Sequence, residues 1–177
     1  MLIFTLPSRY CLPDVLGREA WSRFGTLPPG YRRVQAICDY VHGHLTFSYG
    51  SSTPQSTAAD VHASGYGVCR DFAHLVVALL RAVNVPARVV AVYAPGLYPM
   101  DFHAVAEAFV DGQWRVVDAT LLAPRQSLVR IATGGDAADT AFLVNHKGAI
   151  TLNSMYVTAI VDGLLPRDSI DQLVSIR

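Results

Sequence analysis

The sequence predicts an α+β domain in which helices come first and a mainly antiparallel sheet follows. Apolar residues recur at helical spacing through the first half of the chain, whereas from Ala87 onward they form short β-type runs separated by turn signals. Asp111-Gly112 stands between two of those runs, and this dipeptide favours a hairpin, which joins antiparallel neighbours and not the parallel strands of a βαβ unit. With 177 residues, 51% of them apolar, the chain has the length of one domain and can bury a core without disulfide or metal staples.

Residues 1–30 read as a lead-in segment. "LPSRYCLPD" is broken by proline, and a short helix is expected from Val15 to Phe24, ending near Gly25. From Tyr31 to His44, residues Val34, Ile37, Cys38 and Val41, continued by Leu45, form a helical apolar stripe on which Cys38 reads as a core residue. A loop-rich stretch follows, with a short helix expected from Thr57, where Ser56 or Thr57 caps and Asp60 falls in the first turn. Cys69, Phe72, Ala73, Val76, Leu79, Leu80 and Val83 hold helical spacing again, and this helix must stop near Asn84 because Val85 precedes Pro86. It is apolar around much of its circumference, so it is expected to be buried. "ARVVAVY", "FHAVAEAFV" and "QWRVVDAT" read as strands, and "GGDAADTAFL" as a helix after Gly135. "ITLNSMYVTAIVDG" reads as one or two further strands. The core is thus expected over residues 31–165, with a tail over 166–177.

Lys+Arg and Asp+Glu balance at 14 each with no long run of either sign, which argues against a nucleic-acid groove or a polybasic membrane patch. Cys11, Cys38 and Cys69 are odd in number, widely spaced and without C-x-x-C pairing, so neither a disulfide framework nor a zinc knuckle is suggested, and a reducing, intracellular setting fits. No metal or cofactor is expected. The N-terminal run is too short for a secretory h-region, and no segment approaches the ~20 apolar residues that span a bilayer. A soluble, cytoplasmic protein is therefore expected.

Cys69 follows the glycine-rich "GYG" and opens a helix, where unpaired N–H groups and the helix dipole stabilise a thiolate, the nucleophilic form. The alternative at this stage is a small residue that fills the core. Six histidines could serve as its base. His74 lies on the same helix but about 140° round from Cys69, so it cannot easily face the thiol. His42 and His44 end the earlier helix, His62 lies in the loop before Cys69 and His146 falls in a late turn; each reads as a surface or helix-end residue. His103 can be tested by register. A two-residue turn at Asp111-Gly112 pairs Val110 with Gln113, Phe109 with Trp114, Glu107 with Val116 and Val105 with Asp118. His103 then shares a face with Val105, and Asp118 is its diagonal neighbour across the strands, within side-chain reach. A turn one residue longer would put the two on opposite faces. Cys69, His103 and Asp118 could so provide nucleophile, base and orienting acid; the alternative for the hairpin pair is an Asp at a strand end that accepts turn hydrogen bonds and a His that opens a strand. In the same register Glu107 and Arg115 lie on opposite faces, and neither is given a catalytic role.

The segments "YGSSTPQSTAADV", "GYGVCRDFAHLVVALLRAVNVPARVV" and "DFHAVAEAFVDGQWRVVDAT" resemble the transglutaminase-like superfamily, in particular bacterial members described as cysteine proteases. The likeness is close from about Tyr49 to Pro124 and looser from Tyr31 to about Gly163. It implies a papain-like core with the cysteine-bearing helix packed on an antiparallel sheet, and it implies that Cys69 is the nucleophile, His103 the base and Asp118 the orienting residue. The implied chemistry is acyl transfer at an amide, peptide or isopeptide bond of a peptide or protein substrate, with the thioester resolved by water or by an amine. Val105 stands where many members carry Trp, and Ala119 where many carry Pro; neither change removes a reacting atom. Many bacterial relatives also carry an N-terminal β-rich region ahead of the core. For the oxyanion, the Cys69 N–H is a natural donor, and Tyr49, Gln55 or Tyr66 could supply a second. The reading from a different class is a non-catalytic scaffold that binds a peptide or protein.

Overall fold

In the computed structural model, which describes residues 1–169 and 171–176, helices form over Pro13–Phe24 (α1) and Tyr31–His44 (α2). The two-residue strand Thr46–Phe47 (β1), helix Ala58–Ser64 (α3) and strand Tyr66–Gly67 (β2) lead to helix Cys69–Ala82 (α4). Strands Ala87–Tyr93 (β3), Phe102–Val110 (β4), Gln113–Val117 (β5) and Val129–Gly134 (β6) follow, with a last short helix at Ala137–Thr140 (α5).

Each helix forms where its local chemistry directs. Pro13 at the first turn of α1 gives up an N–H that would be unpaired there in any case. In α2 the stripe Val34, Ile37, Cys38 and Val41 is buried, as its spacing requires. The start of α3 is a capping box: Thr57 Oγ1 accepts the Asp60 N–H and Asp60 Oδ2 accepts the Thr57 N–H. The end of α4 is a Schellman motif, with Asn84 at φ 61°, its N–H on the Arg81 carbonyl and the Val85 N–H on the Leu80 carbonyl. Pro86 then blocks any continuation.

From Leu75 to Leu80 every side chain of α4 is fully buried, because the helix lies between α1, α2 and α3 on one side and β3 and β4 on the other. The four-stranded sheet is antiparallel throughout, in the order β5-β4-β3-β6, and β1 and β2 make a small parallel pair beside it. Strand alternation divides the core in two. Ala87, Val89, Ala106, Ala108 and Val117 face the helices, whereas Val90, Val92, Val105 and Val116 meet Leu97, Leu128, Val174 and Ile176 on the other face. The C-terminal residues thereby cover the second face and reach the β5 edge, where the Val116 N–H bonds the Val174 carbonyl.

Two expectations are corrected here. Residues 150–163, read as one or two strands, form neither strand nor helix and are mostly exposed. The fourth strand of the sheet is Val129–Gly134, which the sequence reading did not assign as a strand. β6 takes the free side of β3, and residues 150–163 pair with neither outer strand of the sheet.

Candidate active site

The site begins with the hairpin. Asp111 and Gly112 both have positive φ, 52° and 75°, the pair of values a type I′ two-residue turn needs, and Val110 pairs with Gln113. The ladder follows the expected register through Phe109–Trp114 and Glu107–Val116 to Ala106–Val117. As a result His103 Nε2 and Asp118 Oδ2 lie 2.8 Å apart, with both side chains buried. Asp118 Oδ1 is held from the other side by Thr120, through its N–H at 2.9 Å and its hydroxyl at 2.7 Å. Thr120 was not singled out from the sequence. Its signal was present, because an Asp followed two residues later by a Thr is the pattern of a turn closed by the Asp side chain. His42 supports the same turn, its Nδ1 lying 2.9 Å from the Ala119 carbonyl oxygen.

Burial would lower the His103 pKa, but the charge and hydrogen bond of Asp118, joined by a hydrogen bond and charge from Cys69, outweigh it and raise the value to about 10. The Asp118 carboxyl shifts the other way: burial alone would raise its pKa, and the His103 charge and hydrogen bond together with those from Thr120 bring it below the ordinary value. The stability that His103 contributes is therefore complete below its unfolded value of about 6.5 and is lost as pH rises through the folded one. That of Asp118 is present above its unfolded value of about 3.9 and is lost as pH falls.

With Nε2 committed to Asp118, Nδ1 is the nitrogen left to exchange a proton with a thiol. Nδ1 makes no hydrogen bond of regular geometry among the described residues, although the Cys69 thiol lies near enough to contribute to the imidazole pKa. A loose contact of this kind is ordinary for a catalytic pair without substrate. Cys69 is partly exposed at the first residue of α4, whereas Cys11 and Cys38 are buried. Burial pushes both of those thiols up to about 12, so neither offers a thiolate near neutral pH.

The other histidines lie elsewhere. His74 is fully buried, stacks on Tyr10 with ring centroids 5.2 Å apart, and accepts the Ala137 N–H on Nε2; burial lowers its pKa to about 4. His44 stacks on His62, which belongs to helix α3 and not to a loop. His146 is exposed. Of the three residues considered as a second oxyanion donor, Tyr49 is 65% exposed and packs edge-on to Phe47, Tyr66 is 52% exposed, and Gln55 is exposed in the segment between β1 and α3.

The backbone ahead of Cys69 passes so close to Asp71 that a Cβ on Gly67 would fall 2.7 Å from the Asp71 Cβ. Gly67→Ala is therefore expected to cost roughly 1–3 kcal/mol through overpacking, read as a lowered thermal midpoint.

Residues 21–119 match the transglutaminase-like superfamily. The chain belongs to that superfamily. Among solved structures, a member similar to it is the "Putative Cysteine Protease from Cytophaga hutchinsonii", at 46% identity and a TM-score of 0.78, covering 79% of this chain and 48% of that one. The periplasmic domain of TgpA from Pseudomonas aeruginosa is 26% identical with a TM-score of 0.52, covering 66% of this chain and 45% of that one. An uncharacterised protein of Mycobacterium leprae, ML0607, is 26% identical over 121 residues, 62% of this chain and 42% of its own length. The chain thus spans under half the length of each of these proteins. The α+β core, with helices packed on an antiparallel sheet, is the architecture of the superfamily. The cytoplasmic location expected from the sequence does not stand, since the TgpA relative is a periplasmic domain. Its physical basis was weak: two of the three cysteines are buried beyond the reach of oxidants, so their unpaired state does not report on the compartment. Among the described residues no helix is long and apolar enough to cross a membrane.

Proposed function

We propose that this chain is a thiol enzyme that transfers the acyl group of an amide in a peptide or protein, with Cys69 as nucleophile, His103 as base and acid, and Asp118 as the orienting carboxylate. The observation that carries this reading is the buried His103–Asp118 contact at 2.8 Å, with the partly exposed Cys69 beside the same imidazole. Membership of a superfamily whose relatives include a protein named for cysteine protease activity supports it.

The raised pKa of His103 favours an imidazolium beside the thiol at neutral pH, a proton donor already in place for the departing amine. The Cys69 sulfur attacks the carbonyl carbon, and the carbonyl electron pair moves to oxygen. When the tetrahedral species collapses, the C–N bond breaks and the Nδ1 proton of His103 goes to the departing amine. The thioester is then cleaved by water, giving hydrolysis, or by a second amine, giving a new amide; His103 removes a proton from whichever attacks. Asp118 keeps Nε2 protonated throughout, so that Nδ1 can accept and return the working proton.

The test is competitive alkylation by limiting iodoacetamide at neutral pH, followed by peptide mass mapping. Cys69 is expected to be labelled at least about 100-fold faster than Cys11 or Cys38, and the advantage to shrink sharply in His103→Ala. Equal labelling of the three thiols in the folded protein would refute the proposal.

A further inference from the structure

We infer that Asp71 is a positioning residue for stabilisation of the oxyanion at the head of α4, a role that rests on Cys69 being the nucleophile. Asp71 is fully buried two residues beyond Cys69. Its Oδ2 accepts from the Val68 N–H at 2.9 Å and from the Ser52 hydroxyl at 2.5 Å, while Oδ1 accepts from Arg70 Nε at 3.1 Å and Nη2 at 2.9 Å. The same Arg70 Nη2 donates to the Thr53 carbonyl at 2.9 Å and reaches Ser52 Oγ at 3.2 Å. The residue before Cys69 and the two after it are therefore fastened through one carboxylate to the segment between β1 and α3, the stretch that carries Gln55.

Acylation places negative charge on the former carbonyl oxygen, and the unpaired N–H groups of the first turn of α4 are donors fixed beside the thiol. Such donors help only if they do not have to reorganise as the charge develops. Asp71 supplies that rigidity. By taking the Val68 N–H it sets the direction in which the chain enters the helix, and through Ser52 and Arg70 it holds the adjoining segment against the same turn. A bare carboxylate here would oppose a nearby oxyanion, but the guanidinium of Arg70 offsets it, and both oxygens already accept two hydrogen bonds each.

Two electrophiles separate this role from a purely structural one. Iodoacetamide alkylates a thiolate at saturated carbon without forming an oxyanion, whereas p-nitrophenyl acetate acylates it through a tetrahedral oxyanion. In both Ser52→Ala and Asp71→Asn, acylation of Cys69 by p-nitrophenyl acetate is expected to fall about 10- to 100-fold, while alkylation by iodoacetamide stays within about two-fold of the parent rate with an unchanged pH profile. Ser52→Ala keeps the carboxylate and three of its donors, so it reads the role even if Asp71→Asn unfolds. Loss of both rates together, or of neither, in folded Ser52→Ala would overturn the inference. A parent protein whose Cys69 is acylated no faster than Cys11 and Cys38 would instead overturn the assignment of the nucleophile.

Discussion

Asp118→Asn is expected to slow acylation of Cys69 at neutral pH by about three to four orders of magnitude while leaving the fold intact. The argument lies in which donors surround the carboxylate. Oδ1 receives two hydrogen bonds from Thr120, one of them from a backbone N–H that cannot become an acceptor. In the Asn variant the amide oxygen must therefore stay on the Thr120 side, and its NH2 group turns toward His103 Nε2. An imidazole whose Nε2 accepts carries its proton on Nδ1, so it cannot take one from the thiol. The same change removes the charge that chiefly raises the His103 pKa against burial, so the imidazolium is lost as well. Acylation followed from pH 5 to pH 10 checks both points: the variant should regain rate only at alkaline pH, where the thiol ionises without a base. A variant as fast as the parent at neutral pH would remove Asp118 from the site.

Glu107→Ala should show the opposite pattern, a large loss of stability with the thiol chemistry preserved below the melting temperature. Glu107 is fully buried on β4 and sits between two guanidinium groups, Arg88 Nη2 at 2.7 Å from Oε2 and Arg130 Nη2 at 2.6 Å from Oε1. Removing it leaves two largely buried cations without a counter-charge, which for a buried pair costs about 3–5 kcal/mol. Arg130 also donates to the Ile176 carbonyl, so the C-terminal cover of the sheet loosens with it. Urea titration gives the loss, and iodoacetamide labelling of Cys69 in the absence of urea gives the retained reactivity. A loss below about 1 kcal/mol would mean that the two arginines find other partners or water. The two experiments would thus distinguish two buried carboxylates, Glu107 on β4 as a structural anchor and Asp118 just beyond β5 as an orienting group.

The sequence made the hairpin legible because its information is local. Asp111-Gly112 sets the turn, the turn sets the register, and the register brings His103 to Asp118. The helices were legible for a similar reason, since caps such as Thr57 and stops such as Asn84 act within a few residues. Strand β6 was not, because its alternation is weak. Val129 and Ile131 are among its exposed residues, 53% and 43%, and its last residue, Gly134, is followed by Gly135 in a pair that reads as a turn. Residues 150–163 misled in the opposite sense, because alternating apolar residues are only half of a strand and the other half is an edge to pair with. Thr120 and Asp71 escaped notice because a hydroxyl or a carboxylate becomes part of a site only through partners that the linear sequence does not reveal.

The short reach of the hairpin bears on how the site comes together in time. His103 lies on β4 and Asp118 directly follows β5, 15 residues further along the chain, so their meeting requires the closure of one small loop. Cys69 is brought to them by the docking of a helix that also packs on α1 and α2 and on β4, contacts of longer sequence separation. The proton-handling half of the site is thus specified within one hairpin, whereas the position of the nucleophile depends on the docking of a helix onto the sheet.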